Sequence, residues 1–378
     1  MIGLILSRVP NPFIFSISCT QILCFEYYTK ALPAISIFTL AIMLLTQSFA
    51  SNLYGSTFEI MRASASTAED PLPSWNDGKI KQAIINFVTN VTEPESTGYI
   101  PVENRTATFD NDGTLWSEKP VYFQVYYVLD TIKNNETLKQ IPVIKKVLAD
   151  ITTNSSNSSQ GVDITEKDVV DMILSTVPNI PQLEYNVQLE QWIETAVHPQ
   201  TGKLFKNMIF KPMVELISYL KDNNFKVFIV TGGGIDFVRA LSKSVYGVPP
   251  DQVIGSSLKY AFKQTGNGTY SIFHLPEIDK VNDEYGKPEN IALHSGQIPI
   301  IAVGNANGDL QMFQYANDNN DNGKSLILLV HHDDPLREYS YDKKAEKVLE
   351  ESQRNNWNII SMKDDFKEIY PKENGKAN

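Results

Sequence analysis

The chain has 378 residues, 42% of them hydrophobic and 10% aromatic, and its formal net charge is −11. That content excludes a disordered chain and is enough for a large core. The acidic balance excludes the basic footprint that nucleic acid or an anionic membrane surface requires, so an anionic substrate must be drawn in by a local site.

Residues 1–50 differ from the rest. They carry Arg8, Lys30 and Glu26, a net of +1, which leaves −12 for the remainder. Lys30 precedes an uncharged apolar run of 15 residues at 31–45. This length suits the apolar region of a secretory signal peptide and falls short of the roughly 20 residues that span a bilayer. Ser48-Phe49-Ala50 offers a small-x-small cleavage site near Ala50. Two readings stand: a cleaved signal peptide, or a retained N-terminal anchor that tethers the protein to a membrane. Both imply export, to an extracytoplasmic or cell-surface location. Asn-x-Ser/Thr sequons at Asn90, Asn104, Asn135, Asn154, Asn157 and Asn267 fit an exported glycoprotein. Both cysteines, Cys19 and Cys24, lie in this first segment, so the body has no disulfide framework and no thiol chemistry.

Residues 51–72 are Ser/Ala-rich and read as a linker. A helix is predicted over 74–91, capped by Asn76 or Asp77, with Ile80, Ile84, Ile85 and Val88 as its apolar stripe. A short strand, 106–109, then runs into Asp110-Asn111-Asp112-Gly113. Helical patterns follow at 121–132, 165–175 and 187–197, interrupted by an exposed Ser/Asn-rich loop at 152–161. Such an insertion would sit over the first strand's end as a helical cap domain, residues 121–210. Four apolar runs read as buried parallel strands: 226–230, 252–257, 298–303 and 325–330. Helical stretches at 213–223, 235–246 and 288–295 alternate with them, and 258–273 reads as a hairpin around Gly-Asn-Gly. This alternation predicts an α/β fold, a doubly wound, mostly parallel sheet, with its core in 73–120 and 211–372.

In such a sheet ligands sit beyond the carboxyl ends of the strands. The polar clusters fall there: Asp110 and Asp112, Thr231-Gly232-Gly233-Gly234, Gly304-Asn305, and His331-His332-Asp333-Asp334. A calcium loop with Gly113 at its sixth position would begin at Thr108 and end at Lys119, where acidic residues are needed, so that reading fails. A carboxylate nucleophile working on a phosphoryl group asks instead for a hydroxyl or bare amides, a cation, and oxygen ligands for a hard metal ion. Thr231 and the glycines after it, Lys287, and Asn305 with Asp309 supply these types; Lys280 competes with Lys287 for the cation's place.

FDNDGTLW, FIVTGGG, GKPENI and VGNANGDLQM, in that order, resemble the four motifs of the haloacid dehalogenase-like hydrolases. The chain is most similar to their phosphoserine-phosphatase-like branch, which has a Rossmannoid core and a helical cap after the first strand. The resemblance implies a phosphatase that takes a small phosphomonoester through an aspartyl-phosphate. Asp110 would be the nucleophile. Asp112 would be the acid and then the base. Thr231, Gly232 and Lys287 would hold the phosphoryl group. Asp110, the Asp112 carbonyl, and Asn305 or Asp309 would bind Mg²⁺. Dehalogenation needs only the first carboxylate, so Asp112 favours phosphoester hydrolysis. The phosphoserine phosphatases have an acidic residue where Asn305 stands, and an amide brings no charge to the metal. Glu118, His331 and His332 are candidate substrate contacts. Rival readings are a phosphotransferase or phosphonate hydrolase on the same scaffold, and a non-catalytic exported glycoprotein.

Overall fold

The computed structural model describes residues 70–154, 164–320 and 325–372. The expected signal peptide or anchor, most of the linker, and most of the Ser/Asn-rich loop with its sequon at Asn157 lie outside the described residues. The described residues belong to one compact unit. Among the described residues no helix is long and apolar enough to cross a membrane.

Among the described residues seven strands form one sheet: β1 (Thr106–Phe109), β2 (Lys226–Gly234), β3 (Val253–Gln264), β4 (Tyr270–Lys280), β5 (Ile301–Gly304), β6 (Leu326–His331) and β7 (Asn358–Ser361), in the spatial order β4-β3-β2-β1-β5-β6-β7. Every neighbouring pair is parallel except β3 and β4. β1 lies at the centre, with Thr108 in register with Phe228 on one side and Ala302 on the other. The chain builds outward from β1 to β4 and then returns to place β5 on its other flank, so the strand order reverses at β1 and β5. That switch point opens a crevice at the strands' carboxyl ends.

The central strands read as unbroken apolar runs because both of their faces are covered. Val227 and Ile229 of β2 belong to one apolar cluster, and Phe228 and Val230 to the other. Leu326, Leu328 and Val330 of β6 alternate in the same way with Ile327 and Leu329. This two-residue period puts successive side chains on opposite faces.

Helix α1 (Lys79–Thr92) starts later than the sequence pattern predicts. Gly78 occupies the cap position without a side-chain bond, while Asp77 pairs with Lys81 at 3.0 Å and Asn76 donates to the Asp364 carbonyl at 2.7 Å. The hydrophobic face also turns: Ile84, Val88 and Val91 are buried, and Ile80 and Ile85 pack only partly.

Among the described residues the insertion that follows β1 carries five helices: α2 (Phe123–Ile132), α3 (Glu136–Lys139), α4 (Pro142–Asn154), α5 (Glu166–Thr176) and α6 (Gln182–Thr195). The sequence pattern had predicted neither α3 nor α4, and α6 begins before the expected 187 because Pro181 stands at its cap. Phe123, Ile144, Met172, Leu189 and Ile193 of this insertion share one apolar cluster with Phe109 and Ile229 of the sheet. The insertion therefore has no core of its own.

After the insertion come α7 (Lys211–Asp222), α8 (Ile235–Tyr246), which leaves β2 without a loop, α9 (Gly286–Ser295), α10 (Leu310–Asp318) and α11 (Glu346–Arg354). β3 is twice as long as its apolar run. Its outer half pairs with β4 from Leu258↔Ile278 to Gln264↔Tyr270, at the sheet's edge. β7 has only four residues and no alternation that the sequence could display.

Candidate active site

The site begins where β1 stops. Asp110 donates its backbone N–H to Val303 O at 2.9 Å, which carries the sheet ladder one residue further. The chain then folds back. Asn111 O accepts from Thr114 and Leu115, and Gly113 N–H reaches Trp116 O at 2.9 Å. Gly113 has φ +79°, a conformation that favours glycine. The fold-back lets Trp116 Nε1 donate to Asp112 Oδ1 at 2.9 Å. Trp116 is fully buried against Phe123, with ring centroids 4.6 Å apart, so the loop is wedged against the insertion's first helix.

Lys287, on the first turn of α9, enters from the opposite side. Its Nζ lies 2.6 Å from Asp110 Oδ1, 2.6 Å from Asp309 Oδ1 and 2.9 Å from Val230 O, and the residue is 2% exposed. Burial opposes the lysine's charge, but Asp110 and Asp309 together raise its pKa, so it stays an ammonium. Burial pushes Asp110 well above the usual carboxylate range and the Asp309 charge adds to this, against the pull of Lys287. Lys280, at the end of β4, is exposed and takes no part.

Asp112 differs from Asp110. Burial carries its carboxyl up to about 6, helped by the Glu118 charge and opposed by the Trp116 hydrogen bond. Gly233 approaches it closely: a Cβ there would lie 3.2 Å from Thr231 Oγ1 and 3.5 Å from Asp112 Oδ2. A side chain at this position would fill the space between the two. Thr231 is fully buried, and its Oγ1 accepts from Gly233 N at 3.0 Å, which leaves the hydroxyl proton free to donate. Asn282, just after β4, holds the Thr231 carbonyl at 2.8 Å. At Gly232 a Cβ would meet nothing nearer than 3.9 Å.

Asn305 and Asp309 take different places. Both oxygens of Asp309 are occupied, Oδ1 by Lys287 and Oδ2 by the N–H groups of Asn305 and Ala306 at 2.9 and 3.0 Å. Asn305 accepts from Thr114 Oγ1 at 3.0 Å, and its Nδ2 is buried without a partner against Gly113. Turned by half a rotation, the same carboxamide would give nitrogen to Thr114 and put its oxygen where the unpartnered nitrogen now lies, the orientation a cation there would favour. With an Asp110 oxygen and the Asp112 carbonyl, that oxygen would make up a donor set of the all-oxygen kind a hard divalent ion takes. Among the described residues no three acidic or histidine side chains gather as a metal cluster, so such a site depends on the main-chain and amide oxygens.

The three candidate substrate contacts fare differently. His332 is 2% exposed, with Nε2 donating to Gly113 O at 2.7 Å and Nδ1 to Glu338 Oε2 at 3.2 Å. Burial lowers its pKa, but Glu338, Glu118 and the Gly113 carbonyl raise it further. With both nitrogens taken and Tyr341 stacked 4.4 Å away, it supports the Gly113 loop from below and does not face a substrate. His331 bonds Asp342 at 2.7 Å and is half-buried at the end of β6. Glu118 is buried beside Gly113, with its carboxyl carbon 3.1 Å from where a Cβ would stand. It raises the pKa values of both Asp112 and Tyr122.

Sequence reasoning missed Gln124, Asn282 and Asp283. Gln124 hides in an apolar helical run, where its only signal is being polar. Asp283 lies just before the Lys287 motif, and its carboxylate comes within 2.2 Å of a Cβ position at Gly308.

A family model described as haloacid dehalogenase-like hydrolase matches residues 105–271. The match contains Asp110, Asp112, Thr231 and Gly232 and ends before Lys287, Asn305 and Asp309. No curated protein matches the chain. Among solved structures it is similar to a protein with unknown function from Bordetella pertussis Tohama I, at 12% identity over 68% of this chain and 98% of that one, with a TM-score of 0.45. It is also similar to a conserved functionally unknown protein from Anaerococcus prevotii DSM 20548, at 15% identity over 75% and 91%, with a TM-score of 0.47. A probable phosphoserine phosphatase from Vibrio cholerae is similar at 14% identity over 70% and 62%, with a TM-score of 0.35.

Proposed function

We propose that the chain, of which residues 105–271 match a haloacid dehalogenase-like hydrolase model, hydrolyses a small phosphomonoester in two steps through an aspartyl-phosphate on Asp110. One observation carries this reading. Two carboxylates of unlike environment, a free threonine proton and a buried ammonium meet at the carboxyl ends of β1 and β2, the ammonium 2.6 Å from the first carboxylate.

In the first step an Asp110 oxygen forms a bond to phosphorus and the ester oxygen leaves. Asp112 gives that oxygen its proton, which a carboxyl with pKa about 6 still holds in mildly acidic solution. In the second step water attacks the phosphorus and gives a proton to Asp112; the P–O bond to Asp110 breaks and inorganic phosphate departs. Lys287 offsets charge on Asp110 and on the phosphoryl oxygens, and the Thr231 hydroxyl and Gly232 amide orient them. A bound Mg²⁺ would neutralise phosphoryl charge, held by Asp110, the Asp112 carbonyl and Asn305. The prior engagement of both Asp309 oxygens favours Asn305 as the ligand. The same proposal covers the domains: the helices α2 to α6, within residues 121–210, act as the cap, closing the site to water in the first step.

Phosphoserine is one candidate substrate. Of the arginines in the described residues, Arg105, Arg239 and Arg337 are engaged with backbone carbonyls away from the site and Arg354 pairs with Glu350 and Glu351, so none of them meets a substrate carboxylate. Export through residues 1–50 belongs to the same proposal.

A phosphomonoester panel tests the function. Aryl phosphate should be turned over with Mg²⁺, lose at least about 100-fold with EDTA, and recover on readdition. No turnover with Mg²⁺, or the same rate in EDTA, would overturn the reading. Release of free phosphate despite an added acceptor alcohol separates hydrolase from phosphotransferase. Asp112→Asn should cost about 10²–10⁴-fold on an alkyl phosphate and far less on an activated aryl phosphate. In the wild type, kcat on the alkyl ester should fall as pH rises through about 6, where the acid form is lost. Equal losses on both esters would remove the acid role.

A further inference from the structure

Of the three glycines after Thr231, Gly232 offers an amide and Gly233 leaves space beside Thr231 and Asp112. Gly234 has no part in the chemistry above, and the structure shows what stands over it and its neighbour. Gln124, from the first turn of α2, reaches across from the insertion, and its Oε1 accepts Gly234 N–H at 3.0 Å. A Cβ on Gly234 would lie 2.6 Å from Gln124 Nε2, and one on Gly233 would lie 3.6 Å from Gln124 Oε1. Neither glycine is needed for backbone freedom at 234, where φ is −65°. The bare backbone makes room for the carboxamide.

The orientation of that carboxamide follows from its partner. An amide N–H can only be met by an acceptor, so the oxygen must face Gly234 and the nitrogen must face elsewhere. Nε2 donates to no acceptor among the described residues, although Gln124 is part-buried. The same Gly233 position that touches Gln124 also touches Thr231 Oγ1 and Asp112 Oδ2, at 3.2 and 3.5 Å. Asp112 is the group that protonates the leaving oxygen, so Gln124 borders the leaving-group side of the phosphoryl site.

We propose that Gln124 is a specificity-determining residue whose free amide donates a hydrogen bond to an oxygen on the substrate's leaving group, one carbon or so beyond the ester oxygen. The substrate class is then a phosphomonoester of a polyol or hydroxylated alkyl chain, not of a bare alkyl or aryl group. The inference rests on the phosphatase reading, and it goes further by assigning the cap a direct contact with the substrate. Oε1 clamps the phosphate loop to the cap while Nε2 reads the substrate, so two atoms of one side chain couple closure to recognition.

The test uses 2-hydroxyethyl phosphate and ethyl phosphate, whose leaving alcohols are of similar acidity, so a change at Asp112 affects both alike. The wild type should prefer the hydroxylated ester by about tenfold in kcat/KM, the worth of one neutral hydrogen bond in such a site. Gln124→Glu keeps an oxygen for Gly234 N–H and loses the donor; Gln124→Met loses both. Each should shrink the preference below about twofold. Gly234→Ala, which pushes the carboxamide aside, should shrink it as well. A wild type with no preference, or a Gln124→Glu variant that keeps the full preference, would overturn the proposal and leave Gln124 as a clamp on Gly234 alone. A wild type that turns over neither ester in Mg²⁺ would remove the phosphatase reading, and this inference with it.

Discussion

Asp110→Asn is expected to reduce turnover of an aryl phosphate to background, a loss of at least about 10³-fold, with the fold intact. An amide has neither the charge nor the lone-pair strength to displace an ester oxygen from phosphorus. Stability should hold because Lys287 keeps Asp309 and the Val230 carbonyl as partners at 2.6 and 2.9 Å, and the new amide oxygen can still accept from it. Two measurements are needed together: steady-state hydrolysis, and the thermal midpoint followed by circular dichroism. Unchanged turnover would remove Asp110 as the nucleophile. Lost turnover with a collapsed midpoint would show only that the residue is structural. Mass spectrometry after a rapid acid quench supplies a third readout, since the wild type should carry a labile phosphoryl group that the variant lacks.

Lys287→Met is expected to cost stability as well as activity. The lysine is the one cation in contact with Asp110 and Asp309 among the described residues, and both carboxylates are nearly sealed from water, with side chains 10% and 2% exposed. Removing one partner of a buried ion pair leaves an uncompensated charge, which costs about 3–5 kcal/mol. Urea denaturation should show that loss near neutral pH. The loss should shrink in acid, because a carboxyl that takes up a proton no longer needs a cation. The sign follows from Asp110: in the variant its pKa, already raised by burial and by Asp309, loses the one influence that lowered it. The folded state therefore binds a proton more readily than the unfolded chain, and stability falls as pH rises. Adding Asp309→Asn should restore part of the stability at neutral pH while activity stays absent. A Lys287→Met variant as stable as the wild type would mean that the triad is not the closed charge cluster its distances describe.

His332 illustrates how a strand-end histidine can be misread. Its position after β6 is that of a substrate contact, and the pair His331-His332 invites that reading. Yet the loop of β1 folds over it, and its two nitrogens are spent on Gly113 O and Glu338. Gly113 stands 219 positions away in sequence, so nothing local could announce the contact. Asn305 and Asp309 show the same limit at short range. Both are oxygen-bearing residues in one turn, and only the arrival of Lys287 on Asp309 Oδ1 separates their roles.

The buried strands other than β7, their order along the chain and the polar residues at their ends could be read from the amino acids alone. Each is a local pattern: a strand covered on both faces must be apolar at every position, and the turn that ends it must be polar where it meets solvent or ligand. The helices inserted after β1 were visible for the same reason, apart from α3 and α4. Folding had to settle which residues face one another. Lys287 meets Asp110 across 177 positions, and Gln124 meets Gly234 across 110. Such contacts are set by which strand lies beside which and by how the insertion leans on the sheet. These depend on the summed packing of the two apolar clusters, which leaves no mark on the few residues around either partner.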